Sequence, residues 1–281
     1  MNLTDINELK DYFRARGLVP KDYMGQNFLI DEDVLDEIMS TAELKSSDTV
    51  LEVGPGLGVL TKRLLEKSKK VLAVEKDAKL ASLLKIELSS ASHLQIIQQD
   101  ILRFNVAENI PDDYKVVANI PYYLTSKLIQ NFLENIHPPK LLVLMIQKEV
   151  GERVIAEAGD LSILGISVQI YADAEITAQV SKNSFWPVPK VDSVIIKITP
   201  KNKYPEITDK KLFFRMIKVA FAGKRKQLHN TLTHGFKLPK EEILDWLEQA
   251  GIEPTARPQD LEIGQWIKLY GEISSNLSET K

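Results

Sequence analysis

The sequence predicts an α/β protein: a doubly wound, mostly parallel sheet followed by a small all-helical domain. Three observations carry this. Short apolar runs alternate with helical patterns from residue 49 to about 155, the order that builds a parallel sheet covered on both faces. The first of those runs breaks into Gly54-Pro55-Gly56-Leu57-Gly58 and a helical pattern follows at once. Strand, glycine turn and helix open a ligand crevice at the carboxyl end of a first strand. From Lys201 onward strand signals vanish and helical spacing takes over.

Taken in order, Leu3 to Arg16 is an amphipathic helix ended by Gly17. Asp31 suits an N-cap for a helix whose apolar stripe is Val34, Leu35 and Ile38. Strand one is Thr49 to Val53, and its helix runs from Val59 to Ser68. Val71 to Val74 is strand two and stops at Glu75, before a helix through Leu80, Leu83, Leu84 and Leu88. Leu94 to Ile97 is strand three, leading to Asp100-Ile101; Lys115 to Ala118 is strand four, ending in Asn119-Ile120-Pro121-Tyr122. Leu141 to Ile146 is strand five, and a helix from about Gln147 carries Lys148, Glu149 and Arg153. Ala174 to Val180 and Ser193 to Thr199 are strands separated only by SKNSFWPVPKVD. That link is too short for a parallel crossover, so the pair is expected to be antiparallel. Seven strands with a reversed one at the end of the sheet is the class I methyltransferase (Rossmann-like) version of this architecture. Lys210–Phe221, Lys224–Leu232, Glu241–Ala250 (closed by Gly251) and Asp260–Tyr270 read as helices, and Ser274 to Lys281 as a frayed tail. The expected boundary puts a methyltransferase domain at 1–200 and a helical domain at 201–281.

With 281 residues, the chain suits one large and one small unit. No cysteine occurs, which excludes disulfides, thiolate metal sites and covalent cysteine attack on pyrimidine C5. The longest purely apolar run, Leu141 to Ile146, is far short of the ~20 residues of a membrane helix. The first residues lack an apolar signal core, so a cytoplasmic protein is expected. The net charge of −3 is uneven: residues 201–281 carry 14 Lys+Arg against 11 Asp+Glu, leaving 22 against 28 in residues 1–200. A polyanion would have to be met by local patches.

The glycine spacing narrows the ligand. A dinucleotide turn needs G-x-G-x-x-G and a phosphate loop needs Gly-Lys-Ser/Thr; here the spacing is G-x-G-x-G. That favours S-adenosylmethionine, whose amino-acid end needs close backbone approach and carries no phosphate; the bland alternative is a tight turn with no ligand. Gly54 and Gly56 line this pocket, Glu75 with Lys76 beside it accepts ribose hydroxyls at a strand tip, and Asp100 with Ile101 can hold the adenine. For Asp100 the alternative is helix capping.

Asn119, Pro121 and Tyr122 fit an exocyclic adenine amine. Asn119 and a carbonyl of Ile120 or Pro121 can accept its two N–H bonds, Pro121 fixes the turn, and Tyr122 offers a ring for the base. Phe185 can close on the other face of a flipped base or pack as ordinary core. Lys224-Arg225-Lys226 is the densest basic cluster, either a solvated helix face or a grip on RNA backbone. Lys148, Arg153 and Lys190 are the basic candidates on the amino-terminal domain. The four histidines (His93, His137, His229, His234) lack metal-ligand spacing, so no metal is expected.

From about Gly25 to about Tyr270 the chain resembles the RsmA/KsgA family of adenosine dimethyltransferases. The resemblance is carried by GQNFLID, LEVGPGLGVLT, VEKD, QQDILRF, VVANIPYYLTSKLI, MIQKEVGERV, FWPVPKVDSVIIKI, AFAGKRKQLHNTL and GIEPTARPQDL. It implies N6,N6-dimethylation of two adjacent adenosines near the 3′ end of small-subunit (16S) rRNA, on the immature 30S particle; a monomer is expected. It also implies that Gln26, Asn27, Leu29, Gly54, Glu75, Asp100 and Asn119 contact the cofactor. The family usually has histidine where Asn27 stands, NLPY for NIPY, and a Tyr-Gly-x-Leu-Ser stretch where this chain has Leu161 to Gly165. Related Erm enzymes, which modify large-subunit RNA, share GQNFL and NIPY but not GPGLG, PVPKVDS or GKRKQLHN.

Overall fold

The computed structural model describes residues 2–110, 112–223 and 225–279. Helix α1 (Ile6–Ala15) starts where the Asp5 carboxylate accepts the N–H groups of Asn7 and Glu8, and buries Leu9, Tyr12 and Phe13. A two-residue strand β1 (Phe28–Leu29) precedes α2 (Glu32–Ala42), capped by Asp31 at 3.1 and 3.4 Å from the N–H groups of Asp33 and Val34. Then come β2 (Thr49–Val53), α3 (Val59–Lys67), β3 (Lys70–Glu75), α4 (Ala78–Glu87), β4 (Leu94–Gln98), α5 (Val106–Asn109), β5 (Tyr114–Asn119), α6 (Thr125–Leu133), β6 (Leu141–Gln147) and α7 (Lys148–Ile155). They are followed by α8 (Ile163–Tyr171), β7 (Ala172–Val180), β8 (Phe185–Trp186) and β9 (Ser193–Pro200). Last come α9 (Lys210–Ala220), α10 (Leu228–Phe236), α11 (Lys240–Gln249) and α12 (Ile263–Glu279).

Seven strands form one sheet in the order β4-β3-β2-β5-β6-β9-β7. The pairs from β4 to β6 are parallel and β6–β9 is antiparallel. The reversed strand therefore lies one place in from the edge, because the last strand of the chain slots between β6 and β7. Central parallel strands are buried on both faces, and every residue of Leu141–Ile146 is buried. Removing one such side chain, as in Leu142→Ala, should cost about 2–5 kcal/mol. Strand order reverses at β2, whose neighbours are β3 and β5. That switch point is where an open α/β sheet leaves a crevice.

The chain groups into two units: residues up to Glu152 with Asp173–Pro200, and Arg153–Ala172 with residues from Lys201 on. In the second unit α9 to α12 bury Phe213, Ile217, Trp246, Leu247, Trp266 and Leu269 in one core. Helix α8 joins that core through Ile166 and Ile170, and its Tyr171 ring lies 5.9 Å from Phe214 in a stacked pair. Its start is the divergent Leu161–Gly165 stretch: Ser162 Oγ accepts the Gly165 N–H. A Cβ at Gly165 would lie 2.5 Å from the Arg153 carbonyl oxygen.

Two expectations are corrected here. Helix α10 begins at Leu228, so Arg225 and Lys226 lie in the turn before it, where the Lys226 N–H donates to Gly223 O at 2.8 Å. Lys224 lies outside the described residues. Residues 274–279 continue α12 rather than fraying, beyond the buried apolar stripe of Trp266, Leu269, Tyr270 and Ile273; residues 280 and 281 lie outside the described residues.

Candidate active site

The cleft at the switch point is open to solvent and spans about 1140 Å³ with that open space counted. Its floor is the glycine turn. Gly54 has φ +67°, the left-handed region that side chains avoid, and its N–H donates to Val74 O at 2.9 Å. Gly58 has φ +79° and opens α3; a Cβ there would meet Leu84 Cδ1 at 2.4 Å. Gly58 thus lets α3 pack closely on Leu84 of α4, while the left-handed backbone at Gly54 and Gly56 shapes the turn that floors the cleft.

Glu75 ends β3 with only 7% of its surface exposed. Its carboxylate accepts the N–H groups of Gly56 (3.1 Å) and Asp77 (2.8 Å). Burial pushes its carboxyl up, and those backbone donors oppose the shift. Each carboxylate oxygen has a lone pair to spare for a hydroxyl, so the residue fits a ribose diol. Across the rim, Asp100 accepts from Lys76 Nζ at 3.0 Å, which holds its carboxyl below the usual range. Its other oxygen accepts the Leu102 N–H at 3.0 Å. One oxygen thus caps a 3-10 turn, as the capping alternative expects, and the other is paired with Lys76. Ile101 is buried and lines the cleft.

The amino-terminal motif folds over the same cleft. Gln26 donates to Asp77 Oδ2 at 3.0 Å, and its oxygen accepts the Lys21 N–H at 2.9 Å. Lys21 Nζ also reaches Asp77 at 2.7 Å. Burial alone would raise the Asp77 carboxyl; Lys21 and Gln26 outweigh it and hold the group low. The Gln26 amide is therefore committed to the segment's own anchoring while the residue lines the cleft. Asn27 and Leu29 line it too.

On the opposite side, Asn119 closes β5. Its Nδ2 lies 3.5 Å from Asn27 O, and its Oδ1 accepts no hydrogen bond among the described residues. Pro121 O already accepts the Leu124 N–H at 2.9 Å, whereas the Ile120 N–H ties the turn to Met145 O. That leaves the Ile120 carbonyl as the uncommitted backbone acceptor. Tyr122 OH pairs with Ser193 Oγ at 2.9 Å, and burial raises its phenol. Phe185 lines the cleft but is 1% exposed, packed in the core and paired with Leu29 across β1–β8. As placed, its ring is a wall and is not open to a base. Sequence reasoning passed over Tyr123, 56% exposed at the cleft; the doubled tyrosine was the available signal. It also passed over Glu52, a carboxyl hidden in an apolar strand.

Among the basic candidates, Lys148 begins α7 with its N–H on Asp192 O and its ammonium 4.0 Å from Glu152. Lys190 is exposed, as are Arg153, Arg225 and Lys226, which belong to the second unit. Among the described residues no helix is long and apolar enough to cross a membrane, and no cluster of three or more His, Cys, Asp or Glu could hold a metal.

A family model described as "Ribosomal RNA adenine dimethylase" matches residues 20–275. The chain is 38% identical to a "Ribosomal RNA small subunit methyltransferase A" of Dehalococcoides mccartyi, covering 96% of this chain and 94% of that one. It is 41% identical to the protein of the same name from Clostridium botulinum, covering 88% and 91%. Among solved structures, a dimethyladenosine transferase from Plasmodium falciparum superposes with TM-score 0.77 at 31% identity, covering 88% of this chain and 98% of that one.

Proposed function

Because the chain belongs to the ribosomal RNA adenine dimethylase family, we propose that it methylates N6 of two adjacent adenosines near the 3′ end of small-subunit rRNA, twice each, from S-adenosylmethionine. The relatives' names point to the small subunit, which favours this over an Erm-type activity. The observation that carries the chemistry is the uncommitted Oδ1 of Asn119 beside the glycine turn: a Cβ at Gly54 would lie 3.9 Å from the Asn119 carbonyl oxygen.

An exocyclic adenine amine is a weak nucleophile because its lone pair is delocalised into the ring. Asn119 Oδ1 and the Ile120 carbonyl accept its two N–H bonds, draw the nitrogen towards tetrahedral geometry and free the lone pair. When bound, S-adenosylmethionine supplies a methyl group made electrophilic by its sulfonium. Pro121 fixes the acceptors' spacing. The Tyr122 ring supports the base, its plane set by the tether to Ser193. Asn119 cannot act as a base at neutral pH, so the product ammonium loses its proton to water. Once one methyl is on, a single N–H remains, and one acceptor suffices for the second transfer.

Gly54, Gly56, Glu75 and Asp100 hold the cofactor, with Gln26, Asn27, Leu29, Lys76 and Ile101 around it. The unit made of residues up to Glu152 with Asp173–Pro200 carries the transfer, and the helical unit docks RNA. Arg225 and Lys226 are the exposed backbone contacts, with Lys148, Arg153 and Lys190 as further ones. The protein acts as a cytoplasmic monomer on the immature small subunit and takes part in its assembly. A mass-spectrometric map of small-subunit rRNA from cells lacking the gene tests this. The dimethyladenosine pair should be missing, return with the wild-type gene and stay missing with Asn119→Ala. A lost modification in large-subunit RNA instead would overturn the assignment.

A further inference from the structure

The turn after Asn119 carries two tyrosines, and the methyl transfer uses only one of them. Tyr122 and Tyr123 open a 3-10 turn, Tyr122–Leu124, in which successive side chains point about 120° apart. The two rings therefore diverge. Tyr122 turns towards the start of β9, two places to one side of β5 in the sheet, where its hydroxyl meets Ser193 Oγ at 2.9 Å. Tyr123 turns towards β3, two places to the other side. Its Cδ1 lies 3.7 Å from the point where a Cβ would stand on Gly25. Its phenol is near enough to Lys76, the residue after β3, to add to the upward push that Asp100 gives that ammonium.

The β3 side of the cleft is the one with Glu75 at its strand tip and Asp100 on its rim. Gly25, at φ +65°, brings the amino-terminal wall close to the turn: a Cβ there would lie 3.2 Å from Pro121 Cβ. Tyr123 thus touches that wall at one end, reaches towards the Lys76–Asp100 pair at the other, and lines the cleft between them. No tether holds it there. The residue is 56% exposed, and its hydroxyl makes no hydrogen bond among the described residues, whereas the Tyr122 ring is part-buried and tethered. A large ring left in water gains by covering the face of a purine.

We propose that Tyr123 is a further cofactor-contacting residue, whose ring closes over the nucleoside end of S-adenosylmethionine and swings clear to let the spent cofactor leave. Exchange matters because two methyl groups go to each of two adenosines, so one particle consumes several cofactor molecules in turn. Each transfer leaves S-adenosylhomocysteine, which carries the same nucleoside and has to be replaced. An untethered ring opens without breaking a hydrogen bond. The inference rests on the placement of ribose and adenine at Glu75 and Asp100 and deepens that reading.

Calorimetry of the full chain tests it with three probes: S-adenosylmethionine, S-adenosylhomocysteine, and 5′-methylthioadenosine, which keeps the nucleoside and lacks the amino-acid end. Tyr123→Ala should weaken all three by the same factor, roughly tenfold. Tyr123→Phe should keep the wild-type affinities, because the ring is used and the hydroxyl is not. In methylation of small-subunit particles, the KM for S-adenosylmethionine should rise by that factor in Tyr123→Ala, with affinity for the particle unmoved. Tyr123 is exposed, so removing its ring leaves the core intact.

Unchanged methylthioadenosine affinity in Tyr123→Ala would overturn the proposal, since the ring would then not cover the nucleoside. Weaker particle binding with cofactor binding intact would overturn it as well, and would make the ring a platform for an RNA base. Glu75→Ala separates this inference from the reading beneath it. If that variant weakens methylthioadenosine binding and Tyr123→Ala does not, only the role of Tyr123 falls. If neither variant weakens it, the placement of the nucleoside falls, and this inference with it.

Discussion

β3 and β5 flank the same strand and end at the same cleft, but their last residues are finished differently. Glu75 at the tip of β3 is almost wholly buried, and its carboxylate takes two backbone N–H groups at 2.8 and 3.1 Å. Asn119 at the tip of β5 is half-buried, is held only at 3.5 Å through its nitrogen, and keeps its oxygen uncommitted. One tip is preorganised by its own backbone, and the other keeps an acceptor for what enters. A group that binds in the ground state gains from being fixed beforehand. A group that must stabilise charge developing on the substrate gains from an acceptor that nothing else occupies.

That contrast can be broken by substitution, beginning at the reacting side. Asn119→Ala should lower the methyl-transfer rate by about 100-fold or more and leave S-adenosylmethionine affinity nearly unchanged. Single-turnover methylation of small-subunit particles, alongside calorimetry, separates the two; a variant that loses binding and keeps its rate would reverse the roles of the tips. Glu75→Ala should act the other way, weakening cofactor affinity roughly ten- to a hundredfold as a charge-assisted bond worth ~1.5–3 kcal/mol is lost. The turnover rate at saturating cofactor should change little.

Tyr122 sharpens the same comparison. Tyr122→Ala removes the ring and about 1–3 kcal/mol of stacking. Tyr122→Phe loses only the bond to Ser193 Oγ, worth about 1 kcal/mol of stability. Methylation rates should rank wild type, Phe, then Ala; equal rates for Phe and Ala would assign the role to the tether instead of the ring. The smallest effect belongs to the second unit. Neutralising Arg225 and Lys226 should flatten the salt dependence of particle binding by up to ~0.7 in log–log slope per lost contact, with cofactor affinity unchanged. An unchanged slope would leave these residues as solvated charges and move the RNA surface towards Lys148 and Lys190.

The sheet and its ligand turn were legible because short apolar runs ending in glycine, Glu75 or Asn119 are local signals. Helix α8 was not: Ile163–Tyr171 is apolar on nearly every face, so it has no amphipathic period to read, and only burial in the helical core reveals it. The start of α10 was misjudged because Arg225 and Lys226 are good helix formers, and nothing local says that the chain turns at Gln227 first. Position 185 shows the limit of motif reading. A phenylalanine beside a cleft looks like a stacking platform until its 1% exposure is known. Glu52 was hidden for the opposite reason, since a lone acid in an apolar strand has no pattern at all.

The pairing of β1 with β8 sets when the cleft exists. Phe28 and Leu29 bond to Trp186 and Phe185, about 150 residues further on, and the Phe13 ring of α1 packs on Phe28 and Trp186 at 5.1 and 5.0 Å. A chain emerging from the ribosome has made Gly54, Glu75 and Asn119 long before the strand that anchors Gln26 and Asn27 has its partner. Strand β9, which must slot between β6 and β7, is later still. Closing so long a loop is slow compared with the local steps of the parallel half. The binding floor is thus built early and its amino-terminal wall much later, so a partly synthesised copy carries the residues of the reaction without the cavity that unites them.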